Sequence, residues 1–215
     1  MRLRVSLVAA GGAVAGIIAG YLAVGRAPCL HWGATDGEVL QSLPGDELLE
    51  TPELVSTRAV TIDAPPSAIW PWLLQMGSGK GGVYTYDWIE NLAGLNMHSS
   101  NVILPQFQDR KVGDVEELGK NGPRLRVEIL DAERCMVLHS EDGNWVWAFC
   151  LVPMGPDQTR FISRNRISTP RASPIRRFAQ TVLMEPGSLV MERKMLLGIK
   201  ERAEGLARRG TPAPG

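Results

Sequence analysis

Asn144-Trp145-Val146-Trp147-Ala148-Phe149-Cys150-Leu151-Val152-Pro153 alternates large and small side chains with a period of two. Successive side chains leave a strand on opposite faces, so this is the signature of a strand. Trp145, Trp147, Phe149 and Leu151 share one face; Val146, Ala148 and Cys150 share the other. The first face is far the bulkier, and it needs a partner of matching apolar length.

Working outward, Glu141-Asp142-Gly143 joins this strand to Arg134–Ser140 as a tight hairpin. If Asp142-Gly143 is the two-residue loop, Glu141 faces Asn144, and counting back sets Cys135 opposite Cys150. The pleat strains a cross-strand disulfide, so two buried thiols are expected there, with a disulfide conceivable outside the cytoplasm. Thr159–Ser168 is a further strand after the Gly155-Pro156-Asp157 turn, and Asp114–Leu118 pairs with Leu125–Asp131 across Lys120-Asn121-Gly122-Pro123. Leu125, Val127 and Ile129 alternate with Arg124, Arg126 and Glu128, one dry face and one wet.

Helical signals flank this run. Thr57–Asp63 reads as an opening strand, Ser67–Met76 as a helix with Pro in its first turn, and Tyr84–Leu95 as a second helix placing Trp88, Leu92 and Leu95 on one face. A long helix runs from Pro174 to Arg209, kinked at Pro186, and Leu189, Leu196, Ile199, Ala203 and Leu206 make its apolar stripe. The order predicts an α+β domain: a curved antiparallel sheet of six to seven strands wrapped on the C-terminal helix. One helix laid across a curved sheet leaves space beneath it, which predicts a cavity lined by Trp145, Trp147, Phe149 and Phe161, with Met191 and Met195 as deformable surface on the helix. A solid aromatic core is the competing outcome.

The 23 basic and 23 acidic residues cancel, which excludes a dedicated nucleic-acid binder, and three cysteines are too few for a disulfide scaffold. Val5–Val24 carries no charge. At about 1.5 Å per residue it spans roughly 30 Å, the thickness of a bilayer core. Arg2 and Arg4 precede it, and Arg26 sits where a signal peptidase needs small residues, so an uncleaved anchor is expected. The chain then divides into a transmembrane anchor (1–27), a linker (28–56) with a short helix near Asp36–Leu40, the domain (57–209) and a disordered tail (210–215). The expected location is the cytoplasmic membrane, single-pass, with the domain outside the cytoplasm. Gly12, Gly16 and Gly20 form a smooth stripe on which two copies could pair as a homodimer.

Arg58-Ala59-Val60-Thr61-Ile62-Asp63-Ala64-Pro65-Pro66-Ser67-Ala68-Ile69-Trp70 resembles the opening strand and helix of the START/Bet v 1-like helix-grip superfamily, the SRPBCC group. The likeness continues through Gly82–Asn91, His98-Ser99-Ser100, Thr159-Arg160-Phe161 and Met191–Leu196, where it is similar to a bacterial, largely uncharacterised branch. The resemblance implies a helix-grip fold and an internal cavity for a small hydrophobic molecule. It implies no catalytic set, because the superfamily includes lipid carriers, hormone receptors, polyketide cyclases and oxygenase subunits. The Rieske-type ligands of the oxygenase members are absent, and no cofactor is expected.

Asp87 and Glu90 on one helical turn, with His98 beyond it, form a candidate acid–base set for a cyclisation or dehydration. A solvated helix face with a capping His is the favoured reading of the same residues, and no metal motif is present. Tyr84, Tyr86 and Trp88 join the candidate ligand-binding residues, and Gly79, Lys80, Gly81 and Gly82 a candidate gate, since no strand or Gly-Lys-Ser/Thr signature makes that loop a P-loop. Arg164 and Arg166 alternate with Ser163 and Asn165, which predicts an outer, acid-paired cationic face. Binding or transport of a lipid, isoprenoid or polyketide-like compound is thus favoured over catalysis, with a non-catalytic interaction module as a third reading.

Overall fold

Turn residues at Asn96, Glu133 and Gly143, all with positive φ, cut the chain into short elements that pair with their neighbours. A computed structural model describes residues 12–13, 15–92, 94–119, 122–170 and 172–210. Its strands are β1 (Leu54–Ile62), β2 (Val115–Glu117), β3 (Arg124–Asp131), β4 (Cys135–Ser140), β5 (Trp145–Gly155) and β6 (Gln158–Ile167). Its helices are α1 (Arg26–Leu30), α2 (Asp36–Leu40), α3 (Pro66–Leu74), α4 (Asp87–Leu92), α5 (Pro174–Ala179) and α6 (Glu185–Gly210). The strands form one antiparallel sheet in the order β1-β6-β5-β4-β3-β2, curved around α6.

The register between β4 and β5 sets Cys135 opposite Cys150. Their Cα atoms lie 4.2 Å apart and the sulfurs are joined as a disulfide, not left as the two thiols expected. The reason is local: Leu151 N–H donates to Arg134 O, so the cysteines occupy the adjacent non-hydrogen-bonded position, where side chains approach most closely.

The two faces of β5 divide as its alternation requires. Phe149 and Leu151 join Ile62, Trp72, Phe161, Leu196 and Ile199 in the core between sheet and helices, with Trp145 and Trp147 packed against it. Val146, Ala148 and Cys150 enter a smaller core on the opposite face with Ala59, Val137, Ile162 and Leu43. Gly198 lets α6 approach the Tyr84 backbone, since a Cβ there would come within 2.6 Å of Tyr84 O.

Three expectations are corrected. The stretch 28–56, expected as a linker, packs on the domain: Leu54–Ser56 open β1, Trp32 meets the inner core, and the segment from Ala34 to Glu50 is a strap over the outer face of the sheet. Arg160 pairs with Glu38, and Arg164 pairs with Asp46 at 2.7 Å while donating to the carbonyls of Glu38, Val39 and Gln41. Arg166 donates to Leu49 O. The arginine face of β6 is therefore outward and acid-paired, but covered. The second helix is shorter than its periodicity suggested. Tyr84 at φ 61° and Gly94 at φ 77° bound it, and Trp88 and Leu92 are 69% and 84% exposed. Finally, the long helix is interrupted before Pro186 by a π turn, Gln180–Met184, in which Glu185 N–H reaches back to Gln180 O. Pro186 has no N–H with which to continue the ladder.

Of the anchor expected at residues 5–24, residues 5–11 and 14 lie outside the described residues. Among the described residues no helix is long and apolar enough to cross a membrane. Gly12, Gly16 and Gly20 have open space where a side chain would sit.

Candidate functional site: a cavity beneath the C-terminal helix

The curved sheet and α6 diverge toward one end and enclose a cavity of about 560 Å³. Trp145, Trp147, Arg58 and Asn165 line it from the sheet, Ser188, Met191, Glu192 and Met195 from α6. Val83, Thr85, Glu90, Leu95 and Met97 close one side. Arg26, Arg177 and Met184 reach solvent at the open end.

Period-two alternation in β1 places Arg58 on the same face as Val60 and Ile62, inside the molecule. There the guanidinium, with no exposed side-chain surface, forms an ion pair with Glu192. Burial pushes the Glu192 carboxyl above its ordinary range, opposed by Arg58 and by its hydroxyl and amide donors. Ser163 donates to it at 2.6 Å and Asn165 at 3.2 Å, while Arg58 also donates to Ser188 Oγ at 3.0 Å and to Cys29 O at 3.2 Å. The same network positions the indoles. Trp147 Nε1 donates to Ser163 Oγ at 3.0 Å and Trp145 Nε1 to Asn165 Oδ1 at 2.8 Å, leaving the rings stacked at 5.3 Å. A buried charge pair thus holds two aromatic planes against the cavity.

Glu90 is different. It borders the cavity at 6% exposure, and its Oε2 completes no hydrogen bond; neither does the Thr85 hydroxyl beside it. Burial pushes its carboxyl up and Asp87 adds to the rise, while the Thr85 hydroxyl is near enough to temper it without completing a well-formed hydrogen bond.

Of the residues singled out in the sequence, the structure brings Trp145, Trp147, Met191, Met195 and Glu90 to the cavity. Phe149 and Phe161 lie fully buried one layer deeper, Phe149 with its ring 4.7 Å from that of Trp147. Tyr84 is a core residue donating to Trp72 O at 2.9 Å, Tyr86 lies beneath Lys194, and Trp88 faces solvent. Asp87 accepts from Ser99 N–H at 2.8 Å and from its hydroxyl at 2.6 Å, fixing the following loop, and His98 is exposed. The Asp87–Glu90–His98 set is therefore divided between a loop, the cavity and the surface. None of Gly79, Lys80, Gly81 and Gly82 borders the cavity; Lys80 is paired with Glu116, and Gly77 and Gly82 exchange backbone hydrogen bonds. Among the described residues no cluster of His, Cys, Asp or Glu is suited to a metal ion.

Sequence reading missed Arg58, Ser163, Asn165 and Glu192 as site residues. The signal was present: Arg58 interrupts an apolar strand face, and Glu192 lies three residues after Leu189 and four before Leu196, within the apolar stripe.

Fold and cavity together describe a helix-grip architecture, a curved six-stranded antiparallel sheet wrapped on a long C-terminal helix with a hollow between them. The chain is similar in structure to the KanY protein, with a TM-score of 0.46 and 14% identity over 72% of this chain and 100% of that one. It is also similar to the self-sacrificing resistance protein CalC from Micromonospora echinospora (TM-score 0.43, 12% identity, 70% of this chain and 94% of that one). A third is the Polyketide_cyc-like protein Cgl2372 from Corynebacterium glutamicum (TM-score 0.34, 18% identity, 72% and 90%). No protein-family model matches the sequence, and no curated protein is similar to it.

Proposed function

We propose that the domain binds or carries a small hydrophobic molecule, such as a lipid, isoprenoid or polyketide-like compound, while tethered to a membrane. The observation that carries the first part is the cavity: about 560 Å³, within the range of roughly 300–1,000 Å³ typical of small-molecule sites. Native mass spectrometry of the purified protein is expected to report a co-purifying apolar ligand. Met195→Trp, which fills the hollow, is expected to exclude that ligand and any hydrophobic probe while the fold persists. A wild-type protein that takes up no hydrophobic probe ends this reading.

The tether is supported by the uncharged run Val5–Val24 and by where it leads. Tyr21 and Arg26 both bond Glu185 at 2.9 Å, at the open end of the cavity. Ile175, Phe178, Leu183 and Met184 expose apolar side chains on the neighbouring helical turns. A bilayer at that end would cover them and pass apolar molecules directly to the cavity. The Cys135–Cys150 disulfide supports a domain in an oxidising compartment outside the cytoplasm.

One observation favours a second reading, a cyclase- or dehydratase-like enzyme: burial raises the proton affinity of a carboxyl at the cavity wall, Glu90, which suits it to the role of a general acid.

A further inference from the structure

Three cations line the cavity among the described residues, and each has its own carboxylate. Arg26 pairs with Glu185 at 2.9 Å, Arg177 with Glu53 at 2.6 Å, and Arg58 with Glu192. The fourth carboxyl on the wall, Glu90, has no cation. It is nine-tenths buried, its Oε2 is unpartnered, and the neighbouring Thr85 Oγ is unpartnered too. The charged group beside it on α4 is Asp87, whose carboxylate is committed to Ser99. A buried polar group without a partner is costly, and Glu90 and Thr85 answer each other only in part, so the pair has hydrogen-bonding capacity that a ligand can complete.

The chemistry of that missing half follows from what the wall lacks. A carboxylate head entering the cavity finds no cation free of its own anion, and it approaches a fourth acid. An uncharged oxygen finds a hydroxyl and a carboxyl with hydrogen-bonding capacity to spare, amid methionine and tryptophan surface suited to an apolar body. We propose that the cavity selects uncharged amphipathic molecules, an apolar body ending in a hydroxyl or carbonyl oxygen, over the corresponding carboxylates, with Glu90 and Thr85 as the anchor. This rests on the ligand-binding reading above and narrows its ligand class.

The test is displacement of a fluorescent hydrophobic probe from the full chain at neutral pH by dodecanol, methyl dodecanoate, dodecanoate and dodecylammonium. The first two are expected to displace it at concentrations roughly tenfold below dodecanoate, the scale of one good hydrogen bond. Glu90→Gln, which retains a neutral donor, is expected to keep that gap. Glu90→Leu is expected to close it while still taking up the probe. Dodecanoate binding as tightly as dodecanol overturns the selection, and so does dodecylammonium binding tightest, which requires an ionised Glu90. All four binding alike with the probe displaced removes the anchor and the selection together and leaves the ligand cavity standing. A probe that never binds removes the ligand cavity itself and the selection with it.

Discussion

Glu192 sits on the apolar stripe of a helix, a position where an acid survives only because three groups from other elements answer it. Arg58, Ser163 and Asn165 supply hydrogens to its carboxyl, and Ser188 occupies the remaining face of Arg58. Removing one member strands a charge that water cannot reach. Glu192→Gln is therefore expected to lower unfolding free energy by about 3–5 kcal/mol, and the double change Arg58→Met with Glu192→Met to recover most of it, as read by denaturant melts. Recovery would show that the pair serves placement of the indoles more than stability. Glu90 gives a pH signature. Its folded-state carboxyl is raised by burial, so its contribution is whole below the ordinary glutamate range and is lost as pH climbs through the raised value. Wild-type thermal stability should fall relative to Glu90→Gln as pH is raised across that window. A pH-independent difference would mean Glu90 keeps an ordinary carboxyl.

Elements show why the outer face of the sheet is not solvent. Arginines at Arg160, Arg164 and Arg166 on β6 are period-two neighbours, and a strand with such a face would ordinarily stand in water. Here the strap meets them: α2, capped by Thr35 and Glu38 in a reciprocal pair, presents its last carbonyls to Arg164, and Asp46 bridges Arg164 and Arg166. The strap turns toward the sheet at Gly45, whose φ is 93° and whose missing Cβ would lie 2.5 Å from Val137 Cγ1. Gly45→Ala is thus both strained and crowded, and is expected to cost about 1–3 kcal/mol. Faster proteolysis within the stretch 28–53 than elsewhere would locate the loss in the strap. Uniform destabilisation would instead make strap and sheet one cooperative unit. Opposite the strap, α6 packs its stripe on the core, and a π turn, Gln180–Met184, precedes it beside the open end of the cavity.

At the scale of the whole molecule, Tyr21 near the end of a charge-free N-terminal run, exposed apolar side chains and the open end of the cavity lie together around Glu185. Flotation with neutral phosphatidylcholine vesicles tests what that juxtaposition means. The full chain is expected to float with the vesicles and a chain beginning at Pro28 to remain below. Equal behaviour of the two would remove the tether. Much of this architecture is already legible in single stretches. The alternation of β5, the Asp142-Gly143 turn that sets Cys135 against Cys150, and the stripe from Leu196 to Ala203 each follow from backbone periodicity, which is local. The aromatic face of β5 was readable too, but not that Trp145 and Trp147 would border a void while Phe149 and Phe161 lie beneath them. That depends on where α6 lifts from the sheet. Likewise, nothing near Arg58 announces Glu192, 134 residues away, and nothing in the Gly- and Pro-containing stretch 28–56 announces its arginine partners on β6. Side-chain period is a property of a segment, and the sequence by itself determined it; the pairing of buried charges and the shape of the hollow arise between segments, where only packing in three dimensions decides which group meets which.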